Sequence, residues 1–187
     1  MPVDVNVTDR TNKIKEALEK LKTMDVLVGI PQKDDSRLGD PITNAELLFI
    51  HTNGVRAKSM RIAMRNNIDE FGYHKAYEMY IKSNGSPLWN SPPRPVIEPA
   101  IEADKETIAE LLKQALQAGL DGDFELAKQY LNKAGLEGQA ASQDWFTDPR
   151  NGWAPNSPLT IKRKGSDKPL IDSGELRKSI VFIVRDK

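Results

Sequence analysis

The side chains that most often carry out chemistry are scarce in this sequence. Cysteine is absent, and the only two histidines, His51 and His74, lie far apart and outside any H-E-x-x-H arrangement. A histidine metal site needs clustered ligands, and a thiolate site or a cysteine nucleophile needs cysteine. We therefore expect no metal site and no histidine- or cysteine-based catalysis.

Carboxylates and serines offer only weak alternatives. Glu98 and Glu102 are four residues apart, as are Glu106 and Glu110, and this spacing is common on solvated helix faces. The run Asp172-Ser173-Gly174 does not match a G-x-S-x-G nucleophile elbow and fits a helix start better. Glycine-rich phosphate-binding loops are also missing. The sequence predicts no catalytic residue, no cofactor and no enzyme activity.

A basic cluster near the C-terminus is the clearest candidate for binding. Lys162, Arg163 and Lys164 are consecutive, with Lys168 nearby, and Trp153 precedes them in a proline-rich stretch. Such residues can bind DNA through phosphate contacts and base stacking, or bind an acidic protein neighbour. No recognition helix is predicted beside them, so protein contact is favoured and DNA contact is the alternative. With Arg94 of the P-P-R-P segment, these residues form our candidate protein interface.

The net charge of zero hides an uneven distribution. Lys plus Arg and Asp plus Glu each number 27, which argues against a chain built mainly to bind nucleic acid. Residues 99–149 carry ten acidic and four basic side chains, whereas residues 150–187 carry four acidic and nine basic ones. Segments of opposite sign can attract copies head to tail, although each can also be an ordinary solvated face.

Length and composition indicate one domain. The chain has 187 residues, of which 39% are hydrophobic and 29% charged. It contains no apolar run of about 20 residues, so no membrane partner is expected. The start, MPVDVNVTDR, has neither a basic region nor an apolar core, and predicts no secretory signal.

The first elements are predicted from periodicity and capping residues. Thr8 and Asp9 offer N-cap oxygens for an amphipathic helix over residues 9–24. The β-branched run 25–30 predicts a strand, and the breaker-rich residues 32–42 predict a loop.

A short helix follows Thr43. Thr43 and Glu46 match a capping box, and Gly54 is placed to end the helix in a left-handed conformation. Apolar residues occur nearly all round it, so we expect it to be largely buried. Residues 55–90 are predicted to be a helical insertion, with a helix over 71–83.

Prolines and glycines mark the middle of the chain. Pro92 to Pro95 must be extended, and Pro99 suits the first turn of a long helix reaching about Ala118. A second helix starts near Phe124, and Gly135 to Gly138 are expected to end it before a last short helix.

The C-terminal part is predicted to be mostly extended. Residues 150–170 read as an extended basic segment, with 160–165 as an arm or loop. Asp172, Gly174 and Glu175 belong to a second capping-box pattern that opens one helical turn.

A strand is predicted over residues 179–184. This strand and the one over 25–30 would not form a stable sheet by themselves. Further strands are expected within 55–65 and near 94–97. The fold class is α+β, a small antiparallel sheet packed against long helices with extended loops or arms.

Five segments in this order resemble the tail-completion or neck proteins of tailed bacteriophages, a virion-morphogenesis family also found in prophages. The segments are VLVGI (26–30), NAELLFIHTNG (44–54), SPPRPVIEPAI (91–101), WAPNSPLTIKRKG (153–165) and PLIDSGELRKSI (169–180). Each motif is weak alone, and the preserved order is more specific. The chain departs from the family pattern at Asn53 and Val96, and in the length of 55–90.

The resemblance implies an α+β virion protein without catalytic activity. It implies a ring, expected to hold six copies, that is assembled in the host bacterial cytoplasm. The implied partners are connector or head-closure proteins and tail-terminator or tail-tube proteins. Completing the tail and joining head to tail both fit this resemblance.

Overall fold

Helices form most of the chain, as shown by the computed structural model, which describes residues 11–31 and 42–186. Thr8, Asp9 and nearly all of the expected loop 32–42 lie outside the described residues. In chain order the elements are α1 (Thr11–Lys22), β1 (Met24–Gly29), α2 (Asn44–Asn53), β2 (Val55–Arg56), α3 (Lys58–Phe71), α4 (Tyr73–Asn84), β3 (Trp89–Ser91), α5 (Ile97–Ala103), α6 (Lys105–Leu120), α7 (Phe124–Asp144), α8 (Pro158–Lys164), α9 (Glu175–Lys178) and β4 (Val181–Asp186).

The α+β fold class is confirmed, but the strands form two small sheets. Strand β1 pairs antiparallel with β4, and β2 pairs antiparallel with β3. The single sheet that we expected is therefore wrong. We expected further strands within 55–65 and near 94–97. The first is the two-residue strand Val55–Arg56, and the second is absent from the described residues near 94–97, with β3 lying at Trp89–Ser91 instead.

Contacts between residues divide the chain into two compact units. Unit 1 comprises residues up to Gly29, Ala100–Gln143 and the chain from Ile180 onward, and unit 2 comprises Ile30–Pro99 and Asp144–Ser179. The expectation of a single domain over 1–187 stays a prediction.

In unit 1 the β1–β4 pair lies against α7. The register places Val28 opposite Phe182, and Gln139 on α7 accepts a hydrogen bond from the backbone N–H of Phe182 at 3.0 Å. Gln143, one turn further along α7, donates to the carbonyl of Ile180 at 2.9 Å. Two glutamines of α7 therefore bind backbone groups at the start of β4.

Helix α7 runs without interruption through the glycines that were expected to end it. A Cβ on Gly135 would collide with the Phe182 ring, and one on Gly138 would lie 2.9 Å from Ile101 and 3.0 Å from Val28. These glycines allow close approach to the sheet, and tertiary packing outweighs their poor helix propensity. The expected helix end at this position is wrong.

The long helix expected over 99–118 is two helices. Asp104, with φ −110° and ψ 16°, separates α5 from α6. Aspartate has low helix propensity because its side chain competes for nearby backbone groups. Pro99 lies in the first turn of α5, as predicted.

Unit 2 contains the helical pair α3 and α4, which fills the segment expected to be helical. Met60 and Met64 of α3 are fully buried against Ala76 of α4, and Tyr77 and Tyr80 pack at the edge of this cluster. Helix α3 itself was not predicted, although Met60, Met64 and Ile68 recur every four residues and form its buried face.

Helix α2 begins with the predicted capping box. The hydroxyl of Thr43 accepts from the backbone N–H of Glu46 at 3.2 Å, and the Glu46 carboxylate accepts from the N–H of Thr43 at 2.9 Å. The expected burial of α2 is wrong, because Phe49 is 70% exposed and only Asn44 and Leu48 are buried.

Gly54 follows α2 with φ 70° and ψ 169°, which is a positive φ but not the expected left-handed helical conformation. A Cβ there would lie 2.8 Å from the nitrogen of Pro93 and 2.9 Å from the carbonyl oxygen of Ser91. Glycine is therefore required both by backbone conformation and by the close approach of the proline-rich segment.

Two C-terminal expectations are corrected. Residues Pro158–Lys164 are helix α8 rather than an extended arm, because Ser157 caps the first turn and Gly165 takes a left-handed conformation at the end. Helix α9 exists, but its N-cap is Gly174 with no side-chain cap, so the Asp172–Glu175 capping box is wrong. Instead, Ser173 accepts from the backbone N–H of Glu175 at 3.3 Å.

Candidate interaction site

One cleft of about 720 Å³ gathers many of the candidate residues of unit 2. We call it the Arg94 cleft. Its walls come from α2, the segment 89–94, the segment 155–164 and the segment 170–176. The lining side chains used below are His51, Trp89, Arg94, Arg163, Lys164, Leu170, Asp172 and Glu175.

Arg94 lies at the centre of this arrangement and is only 6% exposed. Its guanidinium donates to the carbonyl oxygen of Ala154 from Nε at 3.2 Å and from Nη2 at 2.9 Å, and to that of Pro155 at 3.3 Å. Its backbone N–H donates to the carbonyl of His51 at 2.7 Å. Arg94 thus connects the proline-rich segment to α2 and to the segment before α8.

Trp153 also connects the proline-rich segment to the chain before α8. Its indole Nε1 donates to the carbonyl of Pro95 at 3.1 Å, and its ring meets Phe146 edge-on with centroids 5.9 Å apart. Asn156 is buried and donates to the carbonyl of Asp167 at 3.1 Å. Residues 153–157 lie outside any helix or strand and are held by these hydrogen bonds.

Helix α8 separates the basic cluster into two groups. Arg163 and Lys164 line the Arg94 cleft, while Lys162 is exposed outside it, as is Lys168 beyond the helix. Lys164 donates from Nζ to the carbonyl of Lys168 at 2.6 Å, which connects the helix to the turn after it.

The cleft contains an uneven set of charges. Burial lowers the pKa of Arg94, and burial also lowers the pKa of Lys164. Asp172 and Asp167 favour the charged form of Lys164, whereas the nearby positive charge of Arg94 disfavours it. Arg94 has no carboxylate partner among the residues that the structure describes; its guanidinium donates only to carbonyl oxygens.

Leu170, on the cleft wall, has a φ of 58°. It is the one residue other than glycine with positive φ in the described chain, and a branched side chain is rare in that region. Such strain persists only where the surrounding structure fixes it.

The cleft therefore brings together only some of the predicted residues. Arg94, Arg163, Lys164, Asp172, Gly174 and Glu175 line it, whereas Lys162, Lys168 and Trp153 do not. The remaining predicted residues are structural. Thr43 and Glu46 cap the start of α2 and Gly54 follows its end. Pro95 accepts the hydrogen bond from Trp153, and Pro99 lies in the first turn of α5.

Sequence reasoning missed three residues that shape the cleft. Ser157 and Asn156 position α8, and Leu170 carries the strained backbone. The order Ser157-Pro158 followed by Gly165 was a signal for α8, since serine suits the N-cap, proline N1 and glycine the residue after the helix. No sequence signal marks the burial of Arg94.

Comparison with protein-family models, curated proteins and solved structures finds no match to this chain. Within residues 11–31 and 42–186, no helix is long and apolar enough to cross a membrane. The same residues hold no group of three or more histidine, aspartate or glutamate side chains placed to bind a metal ion.

Proposed function

We propose that this chain is a structural virion protein of a tailed phage or prophage. It completes the tail or joins head to tail by forming a ring, expected to hold six copies, through protein–protein contacts. Its partners are connector or head-closure proteins on one side and tail-terminator or tail-tube proteins on the other. Its place is the virion, after assembly in the host bacterial cytoplasm.

The observation that carries this proposal is the composition of the Arg94 cleft. Four of the five segments that resemble the phage family, 44–54, 91–101, 153–165 and 169–180, each contribute to its walls. Motifs far apart in the sequence thus contribute to one surface feature, which supports a shared role for them.

Exposed patches of different chemistry give further support. On α6, Leu112, Leu116 and Leu120 are exposed one turn apart in an acidic part of the chain, whereas α8 presents the exposed cations Lys162 and Arg163. A ring made by head-to-tail contacts needs two different, complementary patches on each copy. The leucines and the cations are two different patches, and the acidic side chains of residues 99–149 are opposite in charge to α8.

Deleting the gene from the phage or prophage that encodes it tests the proposal. We expect heads and tails to accumulate separately or incomplete, and plasmid-borne protein to restore infectious particles. An unchanged yield of infectious particles without the protein would contradict the proposal.

A charge-reversal pair tests the role of α8 in the same assay. Lys162→Glu with Arg163→Glu should reduce the yield of particles because it removes the basic patch. Arg61→Glu with Arg65→Glu on α3 makes the same change in net charge at exposed positions of another helix, and serves as the matched control. Equal yields from the two pairs would exclude α8 from assembly.

DNA contact remains the second candidate, favoured by the exposure of Lys162 and Arg163 on a short helix. If these residues bind phosphates, duplex DNA should show a mobility shift at ~50 mM salt that disappears steeply as salt rises. Absence of a shift at that salt concentration would exclude this alternative.

A further inference from the structure

We propose that the Arg94 cleft binds an acidic peptide segment, in which a carboxylate pairs with Arg94 and apolar neighbours contact the walls. This inference names the class of partner for the proposed structural role and rests on that role for its biological setting.

The buried guanidinium of Arg94 has no carboxylate partner among the described residues. A buried cation is costly unless it is paired and hydrogen-bonded, and in the described chain the guanidinium of Arg94 donates only to the carbonyl oxygens of Ala154 and Pro155. Carbonyl oxygens satisfy donors but carry no full negative charge. A carboxylate from outside would supply the missing counter-charge.

Arg94 shares its cleft with two other cations. Arg94 lines the 720 Å³ cleft, and so do Arg163 and Lys164, which bring two further cations to the same walls. Neither Arg163 nor Lys164 forms an ion pair within the described residues, since Lys164 donates to the carbonyl of Lys168. These three cations outnumber the two carboxylates on the same walls, so the opening carries a net positive charge that favours an anionic occupant.

The acidic and apolar side chains of the cleft favour a peptide over a nucleic acid. Asp172 and Glu175 also line the cleft, and both would repel a chain of phosphates. Trp89 and Leu170 add apolar surface to the walls. Anionic and apolar groups beside three cations suit a single carboxylate with apolar neighbours.

A pair of peptides measures the preference directly. The probes are Ac-Ala-Leu-Glu-Leu-Ala-NH₂ and the same peptide with glutamine in place of glutamate, titrated into the full chain while ¹⁵N–¹H NMR spectra are recorded. The glutamate peptide should shift the Arg94 Nε–H and Trp89 indole signals and bind about tenfold more tightly, as expected for a charge-assisted hydrogen bond in a partly buried site.

Variants on α8 locate the binding. Arg163→Gln should weaken the glutamate peptide about threefold, the scale of a partly exposed ion pair. Lys162→Gln is the matched control, since it is the adjacent cation of the same helix but lies outside the cleft, and it should leave affinity unchanged. Arg94→Lys should weaken binding further, with thermal unfolding as the check on its fold.

Equal binding of the two peptides, no binding of either, or binding of inorganic phosphate without the glutamate peptide would overturn the inference. So would equal effects of the two α8 variants. If the chain forms rings but ignores the peptide, this inference fails and the proposed function stands. If the peptide binds but deletion of the gene leaves particles unchanged, the proposed function fails and the binding site stands.

Discussion

Single residues hold the segments around the cleft in place, and Gly54 is the most constrained of them. Its φ of 70° and ψ of 169° lie in a region that is essentially restricted to glycine, and its neighbours are backbone atoms of Ser91 and Pro93 that cannot rotate away. Gly72 has nearly the same dihedral angles, φ 77° and ψ 167°, but nothing within 4 Å of a Cβ.

Alanine substitutions at Gly54 and Gly72 distinguish the cost of backbone strain from the cost of a steric collision. Gly72→Ala should cost only the strain, about 1–3 kcal/mol of unfolding free energy. Gly54→Ala should cost about 1–3 kcal/mol more, because the added methyl also overpacks against backbone. Urea unfolding of both variants measures the difference, and equal losses would show that the collision is relieved elsewhere.

Asp148 gives a residue-scale prediction for pH. Its carboxylate accepts hydrogen bonds from the Arg150 side chain, with Nη2 at 2.6 Å, and from the backbone N–H of Arg150 at 2.7 Å. The side-chain bond from Arg150 is the main reason that the pKa of Asp148 lies below its usual value.

A carboxyl with a lowered folded-state pKa stabilises the fold at pH values above its unfolded pKa. That stabilisation should disappear as the pH falls through the folded-state pKa. A ¹³C NMR titration of the Asp148 carboxyl should show a midpoint below that of an ordinary aspartate, and Arg150→Gln should move it upward. An unchanged midpoint in the variant would remove Arg150 as the cause.

At the scale of helices and strands, Gly135 allows α7 to pack closely against β4. Gly135 lies directly beneath the Phe182 ring of β4, and the uninterrupted helix depends on that contact. Gly135→Ala should lower the unfolding free energy by about 1–3 kcal/mol through overpacking. Gly29→Ala, where a Cβ would meet nothing within 4 Å, is the control and should change little. A small effect at both positions in urea unfolding would contradict the packing explanation.

Local signals predicted some elements well. The capping box of α2, the strand β1 and the C-terminal strand β4 follow from short patterns in which local preference and tertiary structure agree. The predicted end of α7 was wrong, since the helix continues beneath a ring from a distant strand. The long helix before it was predicted without its interruption at Asp104.

The candidate site was less predictable than the elements. The residue types were identified, and the interface role of Arg94 stays a prediction. Its burial against carbonyl groups of a segment about 60 residues away was not predicted. Nothing in the residues near Arg94 in the sequence specifies that distant partner. The basic cluster was identified as a unit, yet helix α8 directs Arg163 and Lys164 to the cleft and leaves Lys162 outside.

At the scale of the whole molecule, we propose that copies of the chain assemble into a ring. Acidic residues dominate 99–149 and basic residues dominate 150–187, so contacts between copies should be favoured by low salt and weakened at high salt. The double variant Lys162→Glu with Arg163→Glu should weaken them as well, while Arg61→Glu with Arg65→Glu should not.

Negative-stain electron microscopy can test for rings, using the purified chain alone and mixed with the connector and tail proteins that we propose as its partners. We expect closed rings of uniform size, either free in solution or bound at the end of the connector or tail. Only monomers, with no density added to connector or tail under any of these conditions, would contradict the proposed ring.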